Sequence, residues 1–81
     1  MTYWHSVCPA CEQGRLFVME ILDTGGLFLL CEECESAWLI PEEIDVKKHF
    51  DFQGMSIHRA DREDLEDSGW IRYPLTQVLR G

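Results

Sequence analysis

The four cysteines of this chain stand as two pairs, Cys8-Pro9-Ala10-Cys11 and Cys31-Glu32-Glu33-Cys34, with nineteen residues between them. A C-x-x-C turn aims two sulfurs at one point. Two such turns brought together offer four thiolates in a tetrahedral array, the donor set and geometry that Zn²⁺ accepts. Iron takes the same S₄ arrangement, so spacing alone leaves the two metals open. Two other chemistries use paired cysteines. Disulfides belong to short secreted chains, and the N-terminal residues do not read as a secretory leader. A thioredoxin-like redox pair is a single C-x-x-C in a βαβ setting, whereas here two pairs flank a hairpin pattern. The pattern favours one ion held by Cys8, Cys11, Cys31 and Cys34. Four protein ligands leave no position for water or substrate, so the ion is expected to be structural and the chain not an enzyme. A histidine would alter this only by displacing a cysteine. His5 reads as a strand residue near the site, and His49 and His58 read as surface or packing residues.

The stretch between the pairs must bring them together. Arg15 to Leu22 and Leu27 to Cys31 are apolar and rich in strand formers, and Asp23-Thr24-Gly25-Gly26 between them is a turn signal. Pairing Leu22 with Leu27 would put Arg15 opposite Cys34 and both cysteine pairs at the open end of one hairpin. Along the first strand one alternating set is Leu16, Val18, Glu20, Leu22 and the other is Arg15, Phe17, Met19, Ile21. Neither is polar, so both faces of the ribbon are expected to be covered by the rest of the chain. Thr2 to Val7 reads as a further strand leading into the first cysteine turn, with Tyr3, Trp4 and Val7 as packing residues. Pro9 suits a tight metal turn, and Glu12-Gln13-Gly14 reads as slack before the ribbon.

Two C-x-x-C knuckles around a hairpin, followed by a short strand Ser36-Ala37-Trp38-Leu39-Ile40, resemble the zinc-ribbon superfamily. The resemblance spans residues 3–41 and implies the fold and a structural zinc ion. Many zinc ribbons carry Gly after a knuckle and basic residues in the loops, whereas Glu12 and Glu35 stand after the knuckles here. The expected fold is a small zinc-stabilised α+β domain over residues 1–81. In it an antiparallel zinc ribbon (3–41) is covered by short helices and strands of the C-terminal half (42–81).

In that half, Pro41-Glu42-Glu43 predicts a first helical turn with Pro at N1. Asp45 to Ser56 is mixed, and Lys47-Lys48 is its one basic pair. Met55 to Arg59 reads as a short strand or loop. Asp61 to Gly69 predicts a helix, with an Asp cap, acids in the first turn and a glycine stop. Trp70 to Tyr73 predicts a strand, and Pro74 to Arg80 a last helix with Leu75, Val78 and Leu79 as its apolar stripe.

Fifteen acidic against seven basic residues give a formal charge of −8. Four thiolates and one divalent ion would make this −8 − 4 + 2 = −10. Such a field repels phosphate backbones and draws in basic partners. Glu32, Glu33, Glu35, Glu42, Glu43 and Asp45 fall in one stretch without a Lys or Arg, beside Trp38, and Asp61, Glu63, Asp64, Glu66 and Asp67 face Arg62 alone. Local structure explains part of this, because acids favour helix starts and solvated loops. The candidate partner surface is therefore Glu32, Glu33, Glu35, Trp38, Glu63, Asp64, Glu66, Asp67 and Trp70.

The expected function is an acidic protein-protein interaction module for a basic protein. Size, charge and ribbon give a looser resemblance to small acidic bacterial immunity proteins, which implies an inhibitor of a basic toxin or nuclease. The alternative is a ribbon attached to transcription or translation machinery, but seven scattered bases make direct nucleic-acid binding unexpected. No run approaches the ~20 apolar residues of a membrane span, so a cytoplasmic protein is expected. Structural zinc contributes on the order of 10 kcal/mol to folding in comparable small sites. Stripping the metal with a chelator should unfold at least the first half, and an unchanged circular dichroism spectrum and melting temperature would refute this.

Overall fold

The computed structural model describes residues 2–44 and 50–78. Asp45, Val46, Lys47, Lys48 and His49, together with Leu79 and Arg80 of the expected last helix, lie outside the described residues. The rest is an α+β arrangement of one mostly antiparallel sheet and one helix. Strands β1 (Thr2–Val7), β2 (Arg15–Ile21), β3 (Leu27–Cys31), β4 (Ala37–Trp38), β5 (Ile57–Arg59) and β6 (Thr76–Val78) form a single sheet, and helix α1 spans Arg62–Ser68. The strand order is β4-β3-β2-β1-β6, with β5 also paired to β2.

β2 is the hub. One edge pairs with β3, while the other is shared by β1, through Trp4 opposite Phe17, and by β5, through Glu20 opposite His58. Because side chains alternate along each strand, this register sorts the apolar residues onto two faces. Leu16, Val18, Leu29, Cys31 and Trp38 pack on one face with Tyr3, Ala60, Leu65 and Trp70. Phe17, Met19, Phe28 and Ala37 pack on the other with Trp4, Phe50, Phe52 and Ile57. The continuous apolar runs of β2 and β3 thus have cover on both sides, as their composition requires.

The hairpin register differs from the expected one. Glu20 pairs with Leu27 and Leu16 with Cys31, so Arg15 comes opposite Glu32 and not Cys34. The turn decides this. Ile21 N–H donates to Gly26 O at 2.8 Å and Gly25 N–H to Ile21 O at 2.7 Å, with Gly25 at φ 76° in the left-handed region. The loop is therefore Leu22 to Gly25, and Leu22 sits exposed at its tip. A shift of two residues keeps every side chain on its expected face, which is why the core survives it.

Three further expectations change. Trp70–Arg72 is a 3₁₀ turn and not a strand, because α1 ends on Gly69 at φ 84° and the chain turns again at once. Thr76–Val78 is a strand and not part of a helix: Thr2, Tyr3 and Trp4 of β1 offer a free edge, which Val78, Gln77 and Thr76 fill. Trp38 and Trp70 are 1% and 7% exposed, so both are core residues and neither presents its ring to a partner. Other expected elements are present. Pro41–Glu43 is a 3₁₀ turn with Pro at its start, and Asp61 caps α1 in a reciprocal capping box with Asp64.

Leu65 is the one buried residue of α1, fully enclosed against the sheet. Leu65→Ala should cost about 2–5 kcal/mol through lost burial and the cavity left behind. Urea denaturation of the metal-loaded protein measures it, and a loss under about 1 kcal/mol would show that α1 does not anchor this face.

Candidate metal centre

The two knuckles are built alike. After Cys8 the chain turns back at once, with Glu12 N–H donating to Cys8 O at 2.8 Å and Cys8 N–H to Gly14 O at 2.7 Å. At the second knuckle Cys31 N–H donates to Ser36 O at 2.9 Å. Each knuckle ends in a residue of positive φ directly after its second cysteine, Glu12 at 58° and Glu35 at 63°. That region favours glycine, so both glutamates sit in mildly strained backbone at the point where the chain must double back.

The hairpin register sets the two knuckles side by side, and the four sulfurs lie 3.6–3.9 Å apart. Cys8 Sγ is 3.7 Å from Cys34 Sγ, and Cys11 Sγ is 3.6 Å from Cys31 Sγ. These distances are far beyond the ~2.05 Å of a disulfide. They match the ~3.8 Å edges of a tetrahedron of sulfurs about 2.3 Å from a central ion. The cluster can therefore hold one tetrahedral, sulfur-seeking cation. His5 is not part of it: its Nδ1 lies 2.9 Å from Ser6 Oγ, its ring meets Tyr73 edge-on, and burial lowers its pKa.

The surroundings suit thiolates unequally. Gly14 N–H donates to Cys11 Sγ at 3.4 Å, and the Glu33 and Cys34 N–H groups reach Cys31 Sγ at 3.3 and 3.4 Å. Backbone donors at Gly14 and Gln13 hold the Cys11 thiol below its ordinary pKa. Ser36 Oγ, 3.3 Å from Cys34 Sγ, can donate to its thiolate, and Cys34 is pulled down to about 6. Burial acts the other way on the two enclosed sulfurs, raising Cys8 and pushing Cys31 up to about 12. A cation must displace protons from these buried thiols, so its affinity falls as pH drops.

Gly14 is a site residue that its sequence context disguised as slack. A Cβ there would stand 2.5 Å from Cys31 Sγ and 2.9 Å from Glu33 Cγ, too close for either to stay. The sequence signal for it is only a glycine three residues after a C-x-x-C.

The acids of the candidate partner surface fare differently. Glu32 is held by Arg15 in a two-pronged ion pair at 2.8 and 3.2 Å, which keeps its carboxyl below the usual range. The register supplies the counter-charge that the linear sequence lacks. Glu42 accepts from Tyr73 Oη at 2.9 Å. Glu33 and Glu35 are exposed on the second knuckle. Glu35 also borders a shallow cleft of about 340 Å³ with Phe50, Asp51, Phe52 and Gln53. On α1, Glu63, Glu66 and Asp67 are exposed, and Arg62 bonds Glu66 one turn on at 3.1 Å. Asp64 and Asp67 line a cleft with Gly25 at the turn end of the hairpin, while the cysteines occupy its open end. The two acidic clusters of the sequence thus lie in separate regions.

No family model, curated protein or solved structure matches the chain. The chemistry of the site rests on its own atoms.

Gly14→Ala should force the Cys31 sulfur off its position and weaken metal binding by about 10- to 100-fold, the range for losses in the shell behind metal ligands. Competition with a chromophoric chelator measures it, and wild-type affinity would show that the backbone yields there at no cost.

Proposed function

We propose that the protein is a zinc-stapled acidic interaction module, in which Cys8, Cys11, Cys31 and Cys34 hold one Zn²⁺ and helix α1 meets a basic protein partner. The metal's part is to fix the fold: four sulfur ligands saturate the ion, and the cluster lies at the end of a β-hairpin as in a zinc ribbon. Of the four, Cys34 is exposed, Cys11 is half-buried, and Cys8 and Cys31 are core residues.

The observation that carries the partner reading is the charge of α1. From Asp61 to Ser68 there are five acids and one base, a sum of −5 + 1 = −4, and the base is engaged within the helix. Glu63, Glu66 and Asp67 face solvent on a helix whose opposite side is anchored by Leu65. A rigid negative face of this kind accelerates encounter with a cationic surface and selects against anionic ones. Trp38 and Trp70 play no part in it, and Glu32 is already neutralised by Arg15. A basic toxin or nuclease domain, masked at its cationic groove, is the partner class that fits an acidic protein of this size.

The triple variant Glu63→Lys, Glu66→Lys, Asp67→Lys tests this while sparing the capping pair Asp61 and Asp64. Wild-type protein immobilised at low salt should retain a basic protein that elutes steeply as salt rises, and the variant should lose it while keeping its zinc and its melting temperature. Equal retention by both would show α1 to be a solvated face and nothing more.

A further inference from the structure

Glu20 is the odd residue of its strand. Leu16 and Val18 precede it on the same face and are fully buried, yet the next position on that face carries a carboxylate whose side chain is only 19% exposed. The β2–β5 ladder sets His58 directly opposite, and His58 Nε2 is bonded to Glu20 Oε1. Asp64 approaches from the covering layer. Its Oδ2 accepts from Asp61 N–H at 3.1 Å in the capping box, which fixes the side chain. One donor atom each from Glu20, His58 and Asp64 lie within 4.8 Å of one another. Glu20 and Asp64 also line a cleft of about 260 Å³ together with Gly25, Asp67 and Ser68.

The charges here do not balance. Glu20, Asp64 and Asp67 bring three negative charges, and His58 supplies at most one positive charge. Arg62, the one cation of α1, is taken by Glu66. His58 is held above its ordinary pKa by its bond to Glu20, with Asp64 and Asp61 adding to the effect. The field at this point favours a cation.

We propose that Glu20, His58 and Asp64 form a second metal site, for a divalent transition-metal ion such as Zn²⁺, with water in the cleft completing its shell. One imidazole nitrogen with two carboxylate oxygens suits a borderline transition metal, whereas calcium and magnesium select all-oxygen sites. The ligands come from β2, β5 and α1, so an ion here ties the short strand and the helix to the hub of the sheet. The site stands at the turn end of the hairpin, away from the cysteine cluster, and does not depend on the partner reading.

The test uses the full chain carrying one equivalent of Zn²⁺ on its cysteines, verified by native mass spectrometry, then titrated with further Zn²⁺ by calorimetry while the His58 ring is followed by NMR. A second equivalent should bind and shift the His58 ring signals. His58→Ala and Asp64→Asn should each weaken it by about 10-fold or more, at least the loss seen when a supporting residue is removed. The first equivalent and the circular dichroism spectrum should not change, and His5→Ala should leave both equivalents intact. No second equivalent at millimolar zinc, or one indifferent to His58→Ala, would overturn the proposal.

Discussion

Four sulfur atoms drawn to within 3.9 Å of one another are the constraint on which the described structure turns. Thiolates that close repel each other unless a cation sits between them, and thiols that close have little to gain from one another. Backbone donors to Cys11 and Cys31, the Ser36 hydroxyl beside Cys34 and the glycine wedge at residue 14 all serve this cluster. The same sulfurs are also packing atoms. Cys8 and Cys31 belong to the core that holds Leu16, Leu29, Trp38 and Leu65. A small chain has too little apolar surface to hold itself firmly by burial alone, and a metal held by this cluster would clasp one end of the core and offset that deficit.

Much of this was legible in the sequence, and what was not has a physical reason. The cysteine cluster was plain because thiolate chemistry depends on residue type and spacing, both of which are written linearly. The two-sided cover of the ribbon followed from apolar residues at successive positions of β2 and β3. The helix over Arg62–Ser68 was readable because its cap, its first-turn acids and its glycine stop are all local signals. The register was not, since Asp23-Thr24-Gly25-Gly26 admits two loops and only the bonds between Ile21, Gly25 and Gly26 choose between them. Thr76–Val78 failed for a related reason. Its apolar spacing fits a helix, but the open edge of β1 lies more than seventy residues back in the chain, and tertiary pairing overrides so short a local preference.

The acidic surface shows the same division. Counting carboxylates along the chain joined Glu32 to Glu33 and Glu35, yet cross-strand placement gives Glu32 to Arg15 and leaves its neighbours in water. Aromatic residues near acids suggested a binding surface at Trp38 and Trp70. Both rings instead fill the layer between sheet and helix, because a sheet apolar on two faces needs large side chains from elsewhere to cover it.

The pairing of Thr2 with Val78 carries a kinetic consequence. The hairpin and both knuckles are complete once residue 36 has been made, so the four cysteines can gather while the remainder is still being synthesised. β1 then waits with one edge unpaired until the far end of the chain arrives. Contacts between residues so distant in sequence are slow to form, and an open strand edge invites pairing with other chains in the interval. The fold thus separates an early step, the gathering of the four cysteines, from a late one governed by chain closure, and its exposure to misassembly falls between the two.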